Sequence, residues 1–131
     1  MIRRYNGANT NGTLASAVFP QDATRDSLFG NTKLFSGLAD VFPSFKLTGL
    51  DPLLVYDFTF YASRMSVGDN RETGYTVTGA NSDFAALNPS VNHDRFVTVT
   101  GIEPDSAGEI AVDLAPTANN VNSYHFTYLG V

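Results

Sequence analysis

At 131 residues, 43% of them hydrophobic, the chain has the length of one domain and can bury about two thirds of its unfolded surface. Only 16% of residues are charged, the net charge is −5, and the eight basic residues are scattered singly, which speaks against nucleic acid and against an anionic membrane surface as partners. There is no cysteine, so disulfide frameworks, thiol catalysis and cysteine-ligated zinc are excluded, and no apolar run approaches the roughly 20 residues that span a bilayer.

Period-two patterning dominates along the chain. Residues 14–19 form a short apolar strand candidate stopped by Pro20. Residues 20–28 hold the one expected helical turn, with Pro at its start, Asp22 early, and Arg25 and Asp26 late. Residues 29–40 read as Gly-containing and irregular, and 45–48 as a short strand ended by Gly49. Residues 53–63 alternate strongly, with Tyr56, Phe58 and Phe60 on one face, and 74–80 follow as a second strand. Further strands are expected over 94–102, 109–114 and 123–129. The first puts Val97 and Val99 on one face. The second puts Ile110, Val112 and Leu114 on one face. The third does the same with Tyr124, Phe126 and Tyr128, leaving His125 opposite. Tyr56, Phe58, Phe60, Ile110, Val112 and Leu114 are the expected core. Short alternating segments separated by turn residues predict an all-β fold, an antiparallel β-sandwich or jelly roll.

One local pattern repeats. Leu47-Thr48-Gly49-Leu50-Asp51-Pro52 matches Val99-Thr100-Gly101-Ile102-Glu103-Pro104, and Val77-Thr78-Gly79-Ala80 begins the same way. A β-branched strand end meets a glycine able to take positive φ, and an acidic-Pro step then starts a turn. Asp105-Ser106-Ala107-Gly108 is read as the turn into 109–114. The first six residues contain no apolar core of signal-peptide length, and 128–131 end inside an alternating strand. The expectation is a single domain over 1–131, taken from a larger protein, with any export signal outside it.

Several blocks together resemble a known group. They are Phe19-Pro20 with Ala23-Thr24-Arg25-Asp26-Ser27; 47–52; 56–64; Arg71-Glu72-Thr73-Gly74-Tyr75-Thr76-Val77-Thr78-Gly79; Ile102-Glu103-Pro104-Asp105 with Gly108-Glu109-Ile110; and the closing Tyr128-Leu129-Gly130-Val131. Over residues 17–131 the chain resembles accessory domains of secreted bacterial polysaccharide-degrading enzymes and esterases, which have galactose-binding-like jelly rolls. The resemblance implies a non-catalytic carbohydrate-binding module, secreted or at the bacterial cell surface. Its partners would be a polysaccharide or oligosaccharide and an attached catalytic domain. It also implies a structural calcium, for which residues 6–11, Gln21, Asp22 and Asp26 supply oxygens, Asn9 and Asp22 being the named candidates. The chain departs from sugar platforms of this kind in having no tryptophan.

The candidate carbohydrate site comes from the residues themselves. A strand buried on one face leads into a polar loop, 64–73, held by scaffold at both ends, an arrangement that suits binding. Tyr61, placed opposite Tyr56, Phe58 and Phe60, is the expected exposed ring. Arg64, Asp69, Asn70 and Arg71 offer directional donors and acceptors for hydroxyl groups. The alternative is a salt-bridged connector in a spacer domain without sugar affinity. A small hydrolase is the third reading. Asp26-Ser27-Leu28-Phe29 looks like part of a serine-esterase block, but Arg25 stands where that block needs glycine and no Asp-x-x-His follows. A catalytic serine needs a positioned base and an orienting acid, so Ser27 is expected to serve a turn and the chain is expected not to be an enzyme.

Overall fold

The computed structural model describes residues 5–130. Met1 to Arg4 and Val131, on which the reading of the chain ends rests, lie outside them. In chain order the elements are β1 (Gly7–Asn9), α1 (Gln21–Arg25), β2 (Ser27–Gly30), β3 (Ser44–Leu47), β4 (Tyr56–Phe60), β5 (Thr73–Thr78), β6 (Ser82–Leu87), β7 (Val97–Ile102), β8 (Ile110–Pro116) and β9 (Thr127–Gly130). Every pairing between these strands is antiparallel, in three sheets ordered β1-β2-β9, β3-β8-β5-β6 and β4-β7. The fold is an all-β sandwich.

The core lies between the four-stranded sheet and the β4–β7 pair. On β8 the expected alternation holds: Ile110, Val112 and Leu114 face inward, while Asp113 and Ala115 are exposed. Tyr75 and Val77 from β5, Leu87 from β6, and Val99 and Ile102 from β7 join them. Phe60 from β4 stacks on Tyr75 with ring centroids 4.5 Å apart and planes 9° from parallel. Tyr56 and Phe58 were expected inside with Phe60; they are half-buried and pack on the margin of this core. Through β9, the β1-β2-β9 sheet is hydrogen-bonded to the four-stranded sheet and to the connection after β4. Gly130 N donates to Tyr61 O at 3.0 Å, and Tyr75 OH reaches across to Tyr128 O at 2.8 Å.

Of the three repeated glycines, Gly49 and Gly101 take positive φ and Gly79 does not, and Gly101 lies within β7 and not at a strand exit. Gly49 and Gly101 have φ of +74° and +72°, the left-handed region that costs other residues about 1–2 kcal/mol. At Gly101 this places a bulge in β7: Tyr56 pairs with Ile102 but Phe58 pairs with Val99. Three residues of β7 therefore span two of β4. Strict alternation from Val97 and Val99 would point residue 101 at the core. The extra residue hands that position to Ile102, which is fully buried. The 105–108 turn also forms, with Gly108 N donating to Asp105 O at 2.9 Å.

Local polar side chains overrule the pattern in three places. Residues 14–19 form no strand, because Ser16 Oγ accepts from Val18 N and Phe19 N while Asp94 accepts from Ala17 N. Such side-chain bonds compete with a ladder. The expected strand 53–63 shrinks to β4. Asp51 accepts from Leu53 N with its side chain and from Leu54 N with its carbonyl, making a turn. Leu53, Leu54 and Val55 are exposed as a result. The strand expected over 123–129 begins only at Thr127. Asn122 accepts from Tyr124 N and Phe126 N, and His125 takes φ +48°. His125 therefore sits in a turn, not opposite an aromatic strand face.

Candidate functional site

A surface pocket of about 300 Å³ opens beside the β1-β2-β9 sheet. Three kinds of wall enclose it. Residues 8–11, at and after β1, form one side. Phe29, Phe35, Phe126 and Tyr128 form an aromatic side, and Arg64 and Arg71 supply two guanidinium groups. Its volume is at the lower end of small-ligand clefts, which run from about 300 to 1,000 Å³.

The aromatic side is set by pairing and turns. Phe29 on β2 is the register partner of Tyr128 on β9. Phe126 meets Phe29 edge to face at 5.7 Å and Phe35 at 5.1 Å, distances at which such pairs attract. Phe35 stands on the 31–41 loop, which is closed by bridges Asn31–Val41 and Phe35–Leu38 and held inside by the fully buried Asn31, whose amide donates to Leu38 O at 2.9 Å. Tyr124 stacks on Phe126 at 5.5 Å. Phe35 and Tyr124 remain 37% and 38% exposed, so a ligand can reach aromatic faces at this rim.

The two arginines are held differently. The backbone of Arg64 is fixed: its N donates to Pro89 O at 2.8 Å, and its O accepts from Val91 N at 3.0 Å. Met65 N binds Asn11 O at 2.7 Å, which ties the 8–11 side of the pocket to Arg64. The Arg64 guanidinium donates to Met65 O at 2.6 Å and forms no ion pair among the described residues. Arg71 is embedded in a network. Its Nε donates to Asp69 Oδ1 at 2.8 Å and its Nη1 to the Tyr128 hydroxyl at 2.7 Å. Its Cζ lies 5.5 Å from the centre of the Phe126 ring, within cation–π range. Asn122 donates to the other Asp69 oxygen. Burial disfavours the charge on Arg71, but the Asp69 and Tyr128 contacts outweigh it and raise its pKa. Burial likewise opposes ionised Asp69, yet its bonds from Asn122 and Arg71 win and hold its pKa below the ordinary carboxylate value.

Of the five residues proposed from sequence, Arg64 and Arg71 come together in this pocket. Asp69 stands behind Arg71 and orients it. Asn70 turns its side-chain oxygen to Glu72 N at 2.8 Å, so it shapes the connection. Tyr61 is not on the pocket wall. Its half-buried ring packs 4.8 Å from that of Phe19 and its hydroxyl donates to His93 O at 3.0 Å, which corrects the expectation of an exposed ring. Asn9 lines the pocket with its side chain engaged: Nδ2 donates to Ser27 Oγ at 2.8 Å and Oδ1 accepts from Asn11 N at 2.9 Å. Asp22 lies at the exposed start of α1. Calcium takes six to eight oxygens. Among the described residues no group of three or more histidine, aspartate or glutamate side chains is gathered to hold a metal ion.

Ser27 is 1% exposed, on β2, with its hydroxyl accepting from Asn9. The two histidines bond elsewhere, His93 Nδ1 with Thr13 Oγ1 at 2.7 Å and His125 Nδ1 with Thr32 Oγ1 at 3.0 Å. Phe29, Phe35, Phe126 and Tyr128 were not among the candidates. The signal available in the sequence was the spacing of Tyr124, Phe126 and Tyr128, but nothing local says that the 31–41 loop brings Phe35 to meet them. Comparison with protein-family models, curated proteins and solved structures found no match for this chain.

Proposed function

We propose that this chain is a non-catalytic carbohydrate-binding module that holds an attached, exported bacterial enzyme on polysaccharide, and that its sugar site is the pocket between Phe35, Phe126, Arg64 and Arg71. The observation that carries the reading is the meeting of exposed aromatic faces with fixed guanidinium groups in one open pocket. Sugars are apolar on their ring faces and polar at their edges, so aromatic walls take the faces and directional donors take the hydroxyl or acid groups. The jelly-roll kinship and the bacterial context rest on the sequence resemblance. The non-catalytic part is supported by Ser27, which is buried and bonded to Asn9 rather than to a histidine.

Affinity electrophoresis across soluble plant and algal polysaccharides tests the proposal. Wild-type protein should be retarded by at least one of them. Phe35→Ala should reduce that retardation in a protein that is still folded at the assay temperature, since Phe35 is already partly in solvent and outside the central core cluster. Lack of retardation by every polysaccharide would favour the spacer reading. Ester or glycoside turnover that disappears in Ser27→Ala would favour the hydrolase.

A further inference from the structure

We infer that the ligand of this pocket is an anionic sugar residue, its carboxylate or sulfate seated between Arg64 and Arg71; this rests on the carbohydrate-binding reading above. The protein carries a net charge of −5, yet the pocket wall contains two arginines and no aspartate or glutamate. The charge is local and placed against the trend of the whole molecule.

The two arginines and Tyr128 offer free hydrogen-bonding capacity of one kind, while Thr10 and Asn11 on the 8–11 side carry the acceptor oxygens of the pocket. Arg64 gives one bond to Met65 O and has no carboxylate partner among the described residues. Arg71 spends Nε on Asp69 and Nη1 on Tyr128, and its Nη2 hydrogens remain. Arginine cannot accept a hydrogen bond, so the Tyr128 hydroxyl must be the acceptor from Nη1, and its own hydrogen is left to donate. Arg64, Arg71 and Tyr128 thus present donors only. A neutral sugar hydroxyl donates as well as accepts and would meet no acceptor from these three. A carboxylate or sulfate oxygen only accepts, and its bonds to guanidinium are charge-assisted.

Asp69 cancels part of the Arg71 charge but leaves Arg64 unopposed. It also fixes the Arg71 plane before any ligand arrives, lowering the ordering cost of binding. The ring of the same sugar would lie against Phe35 and Phe126 at the rim.

Binding to four polymers separates the outcomes: polygalacturonate, its methyl-esterified form, dextran sulfate and dextran. The expected result is binding to a charged polymer and at least about tenfold weaker binding to its uncharged counterpart, the scale of losing a charged hydrogen bond. Affinity of the wild type should fall with added salt. Arg64→Gln should weaken binding by about the same factor with an unchanged melting curve, and Arg64→Lys should retain part of it. Preference for polygalacturonate identifies a carboxylate, and preference for dextran sulfate a sulfate. Equal, salt-insensitive binding to the esterified polymer would overturn the anionic ligand and leave the sugar-binding module standing. Salt-sensitive binding untouched by Arg64→Gln would put the anion elsewhere and overturn the assignment. Failure to bind any of the four, in a protein that binds neutral glycans of the wider polysaccharide set, would overturn the inference alone; failure on both sets would overturn the module as well.

Discussion

Asp69 shows how a loop carboxylate that looks like a ligand contact in the sequence becomes a support. Its two oxygens are occupied by Arg71 and Asn122, and it sets the position of the guanidinium that faces the pocket. Its pKa is lowered in the folded protein. The sign follows directly: the pair contributes stability that is present above the unfolded carboxyl value of about 4 and is lost as pH falls through the lower folded value. Asp69→Asn should therefore melt below wild type at pH 7, and the gap should narrow as pH drops below about 4. Thermal melts of both proteins across that range check this. Parallel curves would show that the Asp69 charge adds no stability.

Strand β7 shows what one glycine can redirect. Residues 97–102 have a simple alternating pattern, and the bulge at Gly101 shifts the inward side chain from position 101 to Ile102. Gly101 N is also anchored, donating to Asp57 Oδ1 at 2.8 Å. A Cβ at position 101 would meet nothing within 4 Å, so Gly101→Ala isolates the backbone term. It should cost about 1–2 kcal/mol, the strain of a left-handed residue with a side chain. Urea unfolding gives the number, and a cost near zero would mean that φ relaxes without disturbing the β4–β7 register. The same strand pair explains why β4 is shorter than its apolar run. The Asp51-Pro52 turn captures Leu53 N and Leu54 N before the ladder can.

Across the molecule, burial separates side chains that the pattern treats alike. Ile110 is fully buried in the central cluster, whereas Phe58 packs only on its margin. Ile110→Ala should cost about 2–5 kcal/mol, the range for truncating a buried aliphatic chain. Phe58→Ala should fall below the 3–5 kcal/mol typical of a fully buried ring. Chemical denaturation of both variants ranks them, and a larger loss at Phe58 would mean that the β4–β7 layer closes more tightly than its exposure indicates. A typical domain has about 5–15 kcal/mol in total, so the first change removes a substantial part of it.

The sequence by itself determined the class of the fold, the inward face of β8, the positive φ of Gly49 and Gly101, and the arginine-bearing connection before β5. Each of these depends on alternation or on turn chemistry within a few residues, and such signals survive without knowledge of neighbours. It did not disclose three-residue β1, nor β6, whose large apolar side chains are only Phe84 and Leu87, nor β2, whose residues 27–30 read as the end of a helical turn and the start of an irregular stretch, nor that 14–19 and 123–126 are claimed by Ser16, Asp94 and Asn122. The pocket was legible only in half. Arg64 and Arg71 stood out as charges beside a strand end, while Phe29, Phe35, Phe126 and Tyr128 come from separate segments and meet only when β2 pairs with β9 and the 31–41 loop folds back. Tyr61 failed for the same reason in reverse. Alternation gave its face correctly as away from the core, but only the tertiary structure shows that the 13–19 segment, which pairs with no strand, lays Phe19 on it.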